Sequence, residues 1–209
     1  MDVSAPTSSR TSAVVGILLG LLILGLMAAF AIGLPKAHGE DEVEVRELAL
    51  PDTLPGGYVA SDDPAAFADG QLAEQADTIA AGERASRDHG NEVLPAVLGT
   101  AAATRTYVAE ETQAVFVQVF QSEGGAFAPN SLPEPAEDGS VSTDMTNVGD
   151  GVCILTYGQP TGDGSEPEPG FSQCQVTRDG LTVQIGSAAV DAEELVDVAD
   201  KLLDDLNEA

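Results

Sequence analysis

The sequence predicts an α+β domain, an antiparallel β-sheet packed by helices, carried behind an N-terminal transmembrane helix. Three observations predict it. Residues 13–34 form an uncharged run of 22 residues, an Asp179-Gly180 pair sits between alternating segments, and the C-terminus carries an amphipathic stripe. The run reads AVVGILLGLLILGLMAAFAIGL. At about 1.5 Å per residue it spans roughly 33 Å as a helix, enough for a hydrocarbon core of about 30 Å. Pro35 and Lys36 close it at an interface. The competing reading is a signal peptide cleaved near Gly39, after the small-x-small run Ala37-His38-Gly39. The apolar run is longer than the usual h-region, and only Arg10 precedes it, which favours a retained anchor.

The chain has 209 residues, 8 Lys+Arg and 35 Asp+Glu, a net charge of −27. Asp2 and Arg10 are the charged residues of the first 34, so the full −27 lies after the anchor (7 Lys+Arg minus 34 Asp+Glu). That balance excludes nucleic acid and anionic lipid headgroups as electrostatic partners, since both need a cationic surface. The lipid bilayer itself is the partner expected for residues 13–34. Residues 1–12 then form a short cytoplasmic tail, 35–57 an acidic stalk broken by Pro and Gly, and 58–209 an extracytoplasmic domain.

Within that domain, Asp62-Asp63-Pro64 is a helix-start signal. An Ala-rich helix follows to about Arg87, weakened by Gly70 and Gly82 and ended by His89-Gly90-Asn91. Strands are expected over 104–109 and 114–121, joined by a turn at Glu110-Glu111-Thr112-Gln113. After a Gly/Pro-rich loop, further strands are expected near 141–148 and 152–157, with a second loop over 159–170. Asp179-Gly180 predicts a type I′ hairpin. A two-residue loop pairs Arg178 with Leu181, Val176 with Val183 and Cys174 with Ile185 on one face. It puts Thr177 with Thr182 and Gln175 with Gln184 on the other. The final helix, from about Ala192 to Leu206, is capped by Asp191 with Glu194 at capping-box spacing. Leu195, Val198, Ala199, Leu202 and Leu206 form its buried stripe. Both helices are expected on one face of the sheet.

Cys153 and Cys174 are the two cysteines. Both alternate with apolar residues, so both point into the core. An even count after a membrane segment predicts a disulfide. An oxidising compartment is also what orients the anchor, because the Lys/Arg count on its two sides nearly ties.

Catalytic motifs are absent. Neither His38 nor His89 has a second ligand at metal spacing, Gly170-Phe171-Ser172-Gln173-Cys174 fails as a nucleophile elbow, and Gly149-x-Gly151 lacks the third glycine of a dinucleotide fingerprint and reads as a turn. Asp138–Asp144 and Asp163–Glu166 supply oxygen ligands but not the calcium-loop spacing. No cofactor is expected, and a carboxylate-based enzyme stays as an alternative class. The unusual surface is the segment 114–121. Val115, Val117 and Val119 make one face, Phe116 and Phe120 with Ala114 the other, and both faces are apolar. It reads either as a central strand covered on both sides or as an exposed apolar binding strand. The Ala-, Gly- and Asp-rich composition resembles that of GC-rich bacteria. The expectation is a single-pass bacterial envelope protein with a binding, sensing or accessory domain outside the membrane, partnered by another envelope protein.

Overall fold

The computed structural model describes residues 47–110, 112–125, 127–136, 140–158 and 168–208. The expected tail, the transmembrane helix over 13–34 and the first part of the stalk lie outside the described residues. Among the described residues no helix is long and apolar enough to cross a membrane.

The domain is α+β, with one eight-stranded antiparallel sheet and two α-helices. The strands are β1 (Thr53–Leu54), β2 (Tyr58–Ala60), β3 (Ala102–Ala109), β4 (Gln113–Gln121), β5 (Thr143–Val148), β6 (Gly151–Tyr157), β7 (Pro169–Arg178) and β8 (Leu181–Ser187). Their spatial order is β1-β2-β3-β4-β8-β7-β6-β5. Two four-stranded runs, each antiparallel neighbour to neighbour, therefore meet at a β4·β8 seam. The Gly/Pro-rich loop after β4 makes this possible, because it carries the chain to the far edge before it winds back.

The terminal hairpin has the register its turn demands. Arg178 faces Leu181, Val176 faces Val183 and Cys174 faces Ile185, while Thr177–Thr182 and Gln175–Gln184 alternate with them. Asp179 and Gly180 hold φ of 50° and 77°, the positive values a type I′ turn needs. The β5–β6 turn is also two residues, opened by Gly149 at φ 53°. Between β3 and β4, Ala109 pairs with Gln113, so Gln113 joins the strand and the turn is one residue shorter than expected.

The helix α2 (Ala192–Glu208) buries Leu195, Val198, Ala199, Leu202 and Leu206, with Val196 and Leu203 widening the stripe. Asp191 Oδ1 accepts from the Glu194 N–H at 2.8 Å, as an N-cap should. The Glu194 carboxylate accepts from Tyr58 Oη at 2.7 Å, which ties the start of the domain to its last helix. Beneath α2 lie Val115, Val117, Val119, Val176, Leu181, Val183 and Ile185, all at most 1 % exposed.

Three expectations are corrected. The fold begins before Tyr58: Leu54 is buried, Leu48 and Leu50 pack on the core, and the Leu50 and Pro51 carbonyls accept from Arg105. Pro55, Gly56 and Gly57 make the β1–β2 turn rather than a stalk. Second, the Ala-rich segment starts as a 3₁₀ turn at Pro64–Phe67, capped by Asp63 Oδ1 on the Ala65 N–H, and becomes the helix α1 only over Ala76–Leu98. It runs through His89-Gly90-Asn91 and ends at Gly99 (φ 67°). The two expected breakers are contacts to β3. Asn91 Oδ1 accepts from the Thr104 N–H at 2.7 Å, and a Cβ on Gly90 would stand 2.5 Å from Thr104 Cγ2. Third, the helices take opposite faces. Tyr107 and Val115 pack in the α2 core, whereas their chain neighbours Val108 and Ala114 pack with Phe67, Ala76 and Ile79. Neighbours in a strand point to opposite sides, so α1 lies across the sheet from α2.

Candidate functional site

The segment singled out from the sequence is β4, and the structure divides it. Val115, Val117 and Val119 are fully buried under α2. Phe116 is 52 % exposed on the other face, and Phe120 beside it is half-buried. Full burial of one side explains the apolar alternation there; it leaves Phe116 unexplained by packing.

The face that holds Phe116 is the open side of the sheet. It is flanked by α1 at β3 and by residues 128–131, which lie against Ile154, Thr156 and Gln173. Between them is a trough of about 250 Å³ centred on Gly186. Phe116 stands on one side of Gly186 and Phe171, 36 % exposed, on the other. A Cβ on Gly186 would lie 3.1 Å from Phe171 Cζ, so the glycine lets that ring rest on bare backbone. Gln118, Gln173 and Gln184 complete the surface. Gln184 Nε2 donates to Gln175 Oε1 at 3.1 Å, which orients both amides. The two-sided apolar pattern of 114–121 pointed to this surface. The hairpin register already puts Gln184 on the polar face, but Phe171 and Gln173 carry no sequence signal for this surface, because only the β4·β8·β7 order brings them to the face that holds Phe116.

Cys153 and Cys174 face each other on β6 and β7 and form a disulfide, both sulfurs fully buried. It closes the chain around the second Gly/Pro-rich loop.

A larger depression, about 570 Å³, lies between the β5–β6 turn and α2. Asp150, Glu193, Asp197 and Asp200 line it. Three of these carboxylates are already engaged: Arg178 pairs with Asp150 and Asp200 as well as Asp204, and Lys201 pairs with Asp197. Among the described residues no group of His, Cys, Asp and Glu is arranged to hold a metal ion.

Among the described residues the most buried acid is Asp62, 4 % exposed. Arg105 grips it through Nε at 3.1 Å and Nη2 at 2.7 Å, and Arg87 through Nη1. Arg84 donates to the Asp62 carbonyl. Burial pushes the carboxyl up, but the hydrogen bonds and charges of Arg105 and Arg87 outweigh it and hold the group below the usual carboxylate range. This is the wrong direction for a general acid, which needs a raised value. The cluster is instead a clamp: Arg105 also reaches Asp52 and the Leu50 and Pro51 carbonyls, locking the N-terminal strands to β3.

No family model, no curated protein and no solved structure matches this chain.

Proposed function

We propose that the protein is a single-pass membrane protein of a bacterial envelope whose C-terminal domain lies outside the cytoplasm and works by binding. The observation that carries this reading is the buried Cys153–Cys174 disulfide in a domain that follows a 22-residue uncharged segment. Disulfides persist in oxidising compartments and are rare in the cytosol. Residues 13–34 supply the anchor. The charge is in keeping with this reading: each Lys and Arg among the described residues is engaged with a carboxylate or a carbonyl rather than presented to an anionic headgroup layer. Binding is favoured over catalysis because the buried acid is locked by arginines and the exposed aromatic groups lie on a shallow open face.

Topology reporters and thiol labelling test the reading together. A C-terminal alkaline phosphatase fusion should be active, the protein should sediment with membranes, and maleimide should label neither cysteine until reductant is added. Thiols labelled without reduction, or an inactive fusion, would overturn it. A mature N-terminus at Glu40 would replace the anchor with a cleaved signal and make the domain secreted.

A further inference from the structure

We infer that the open sheet face binds an uncharged glycan, across the trough between Phe116 and Phe171. The inference rests on the reading of the domain as a binding module and names its ligand class.

Charge comes first. In a chain of net −27, the residues that β3 to β8 direct to this face are Ala, Thr, Val, Phe, Gln, Ile, Met, Asn and Gly. Asp144 and Arg178 of the same strands sit at the alternate positions, on the other side. Arg105 also takes an alternate position, and where it borders the trough its guanidinium is already held by Asp62, Asp52 and the Leu50 and Pro51 carbonyls. A cationic partner is attracted by the acidic surface elsewhere and finds no carboxylate here. An anionic partner, including a second copy of this chain, is repelled by the molecule as a whole. The occupant that this face fits is neutral.

The groups present then choose among neutral ligands. Gln118, Gln173 and Gln184 each carry a donor and an acceptor on one amide, matching hydroxyls that both donate and accept. Phe116 and Phe171 offer apolar rings to the C–H faces of a sugar. An extended peptide is read mainly by pairing with a free strand edge. The trough lies mid-sheet, where β4, β8 and β7 already pair with one another. At about 250 Å³ it is shallower than the pockets of roughly 300–1,000 Å³ that enclose small molecules. It therefore suits a few units of a longer polymer lying along the face.

The test uses the full chain in a zwitterionic detergent without a sugar headgroup. Cellohexaose, the hexamer of N-acetylglucosamine and a linear arabinan hexamer are titrated by calorimetry at low and high salt. At least one should bind with a Kd below about 1 mM. Its affinity should be unchanged by salt, since no ion pair forms. Phe116→Ala and Phe171→Ala should each weaken it about tenfold or more. Phe116→Leu, which keeps the bulk and removes the ring, should weaken it as well while leaving the melting temperature in place.

Absence of binding by all three probes at several millimolar overturns the inference. So does an affinity that falls with salt, or binding that ignores both Phe variants. A dimer by sedimentation that Phe116→Ala dissolves assigns the face to a second copy, and a neutral proline-rich peptide binding there in place of the sugars assigns it to a protein partner. All of these are measured on purified protein, so they fail independently of the topology test.

Discussion

Two identical substitutions in α1 should move stability in opposite directions. Gly82→Ala and Gly90→Ala both replace a helical glycine, and helix propensity alone favours each by about 1 kcal/mol. At Gly82 nothing lies within 4 Å of the added Cβ, so the gain is realised in full. At Gly90 the Cβ would stand 2.5 Å from Thr104 Cγ2, where about 3.5–4.0 Å is the comfortable separation. Thr104 is β-branched and its hydroxyl donates to the Val117 carbonyl, so rotating it away loses that bond. The alternative is that α1 lifts from β3, which stretches the Asn91–Thr104 hydrogen bond. Overpacking of this kind costs about 1–3 kcal/mol, and a lost hydrogen bond adds about 1 kcal/mol. Set against the propensity gain of about 1 kcal/mol, Gly90→Ala should destabilise by about 1–3 kcal/mol. For a domain of this size the shifts are about 2–4 °C upward for Gly82→Ala and about 2–12 °C downward for Gly90→Ala. Calorimetric melts of the full chain in detergent measure both. Adding Thr104→Ser to Gly90→Ala removes the clashing methyl and keeps the hydroxyl, and should return most of the loss. If Gly90→Ala raises the melting temperature as Gly82→Ala does, α1 is not seated on β3 through this contact, and the explanation for the helix running past its breakers fails.

Replacing Cys153 and Cys174 together by Ala should cost about 3 kcal/mol in the chain-entropy account of a disulfide, seen as a melting temperature lower by about 6–12 °C; an unchanged melt would show that the bond is not holding the β6–β7 pair. Because both sulfurs are fully buried, dithiothreitol should reduce the native protein only at the rate of its opening, which timed quenching with maleimide will show. Asp62→Asn should destabilise by about 3 kcal/mol at pH 7 by removing the buried carboxylate that Arg105 and Arg87 share, although Arg105 keeps Asp52 and Arg87 keeps Asp88. The Asp62 pKa is lowered on folding, so its stabilisation is complete above the unfolded value near 4 and fades as pH falls through the folded value. Urea titrations should therefore find the gap between Asp62 and the variant wide at pH 7 and closing below about pH 4. Tyr58, Tyr107 and Tyr157 all have hydroxyls raised above the ordinary value, each first by burial; Glu194 then adds to the rise at Tyr58 and Asp144 at Tyr157. Folding thus favours their protonated forms, and this stability is lost as pH rises above about 10. Tyrosinate absorbance should appear together with unfolding; ionisation of all three near pH 10 with the fold intact would contradict the burial.

Much of the architecture was legible because it is local. Asp179-Gly180 admits essentially one two-residue turn, and with it every pairing from Arg178–Leu181 to Cys174–Ile185 follows from counting. The stripe Leu195 to Leu206 repeats at helical spacing and buries as one face. The Asp63 and Asp191 caps act within three residues of themselves. His89-Gly90-Asn91 misled for the same reason. As local signals they end a helix, but Gly90 and Asn91 serve a strand more than ten residues away, and no local rule carries that information.

By itself the sequence determined the uncharged segment, the separation of charge from it, the strands with their alternation, the hairpin register and the cysteines' inward direction. These depend on neighbours in the chain and on the periods of helix and strand. Only the tertiary structure decided the strand order, which helix covers which face, and where the charges meet. It set Asp62 against Arg105 across 43 residues and Tyr58 against Glu194 across 136. It also placed Phe171 beside Phe116 on an uncharged face that no stretch of sequence displays as one surface. The physical reason is that a sheet face is assembled from alternate residues of strands distant in the chain, so its character exists only once the strands have found their order.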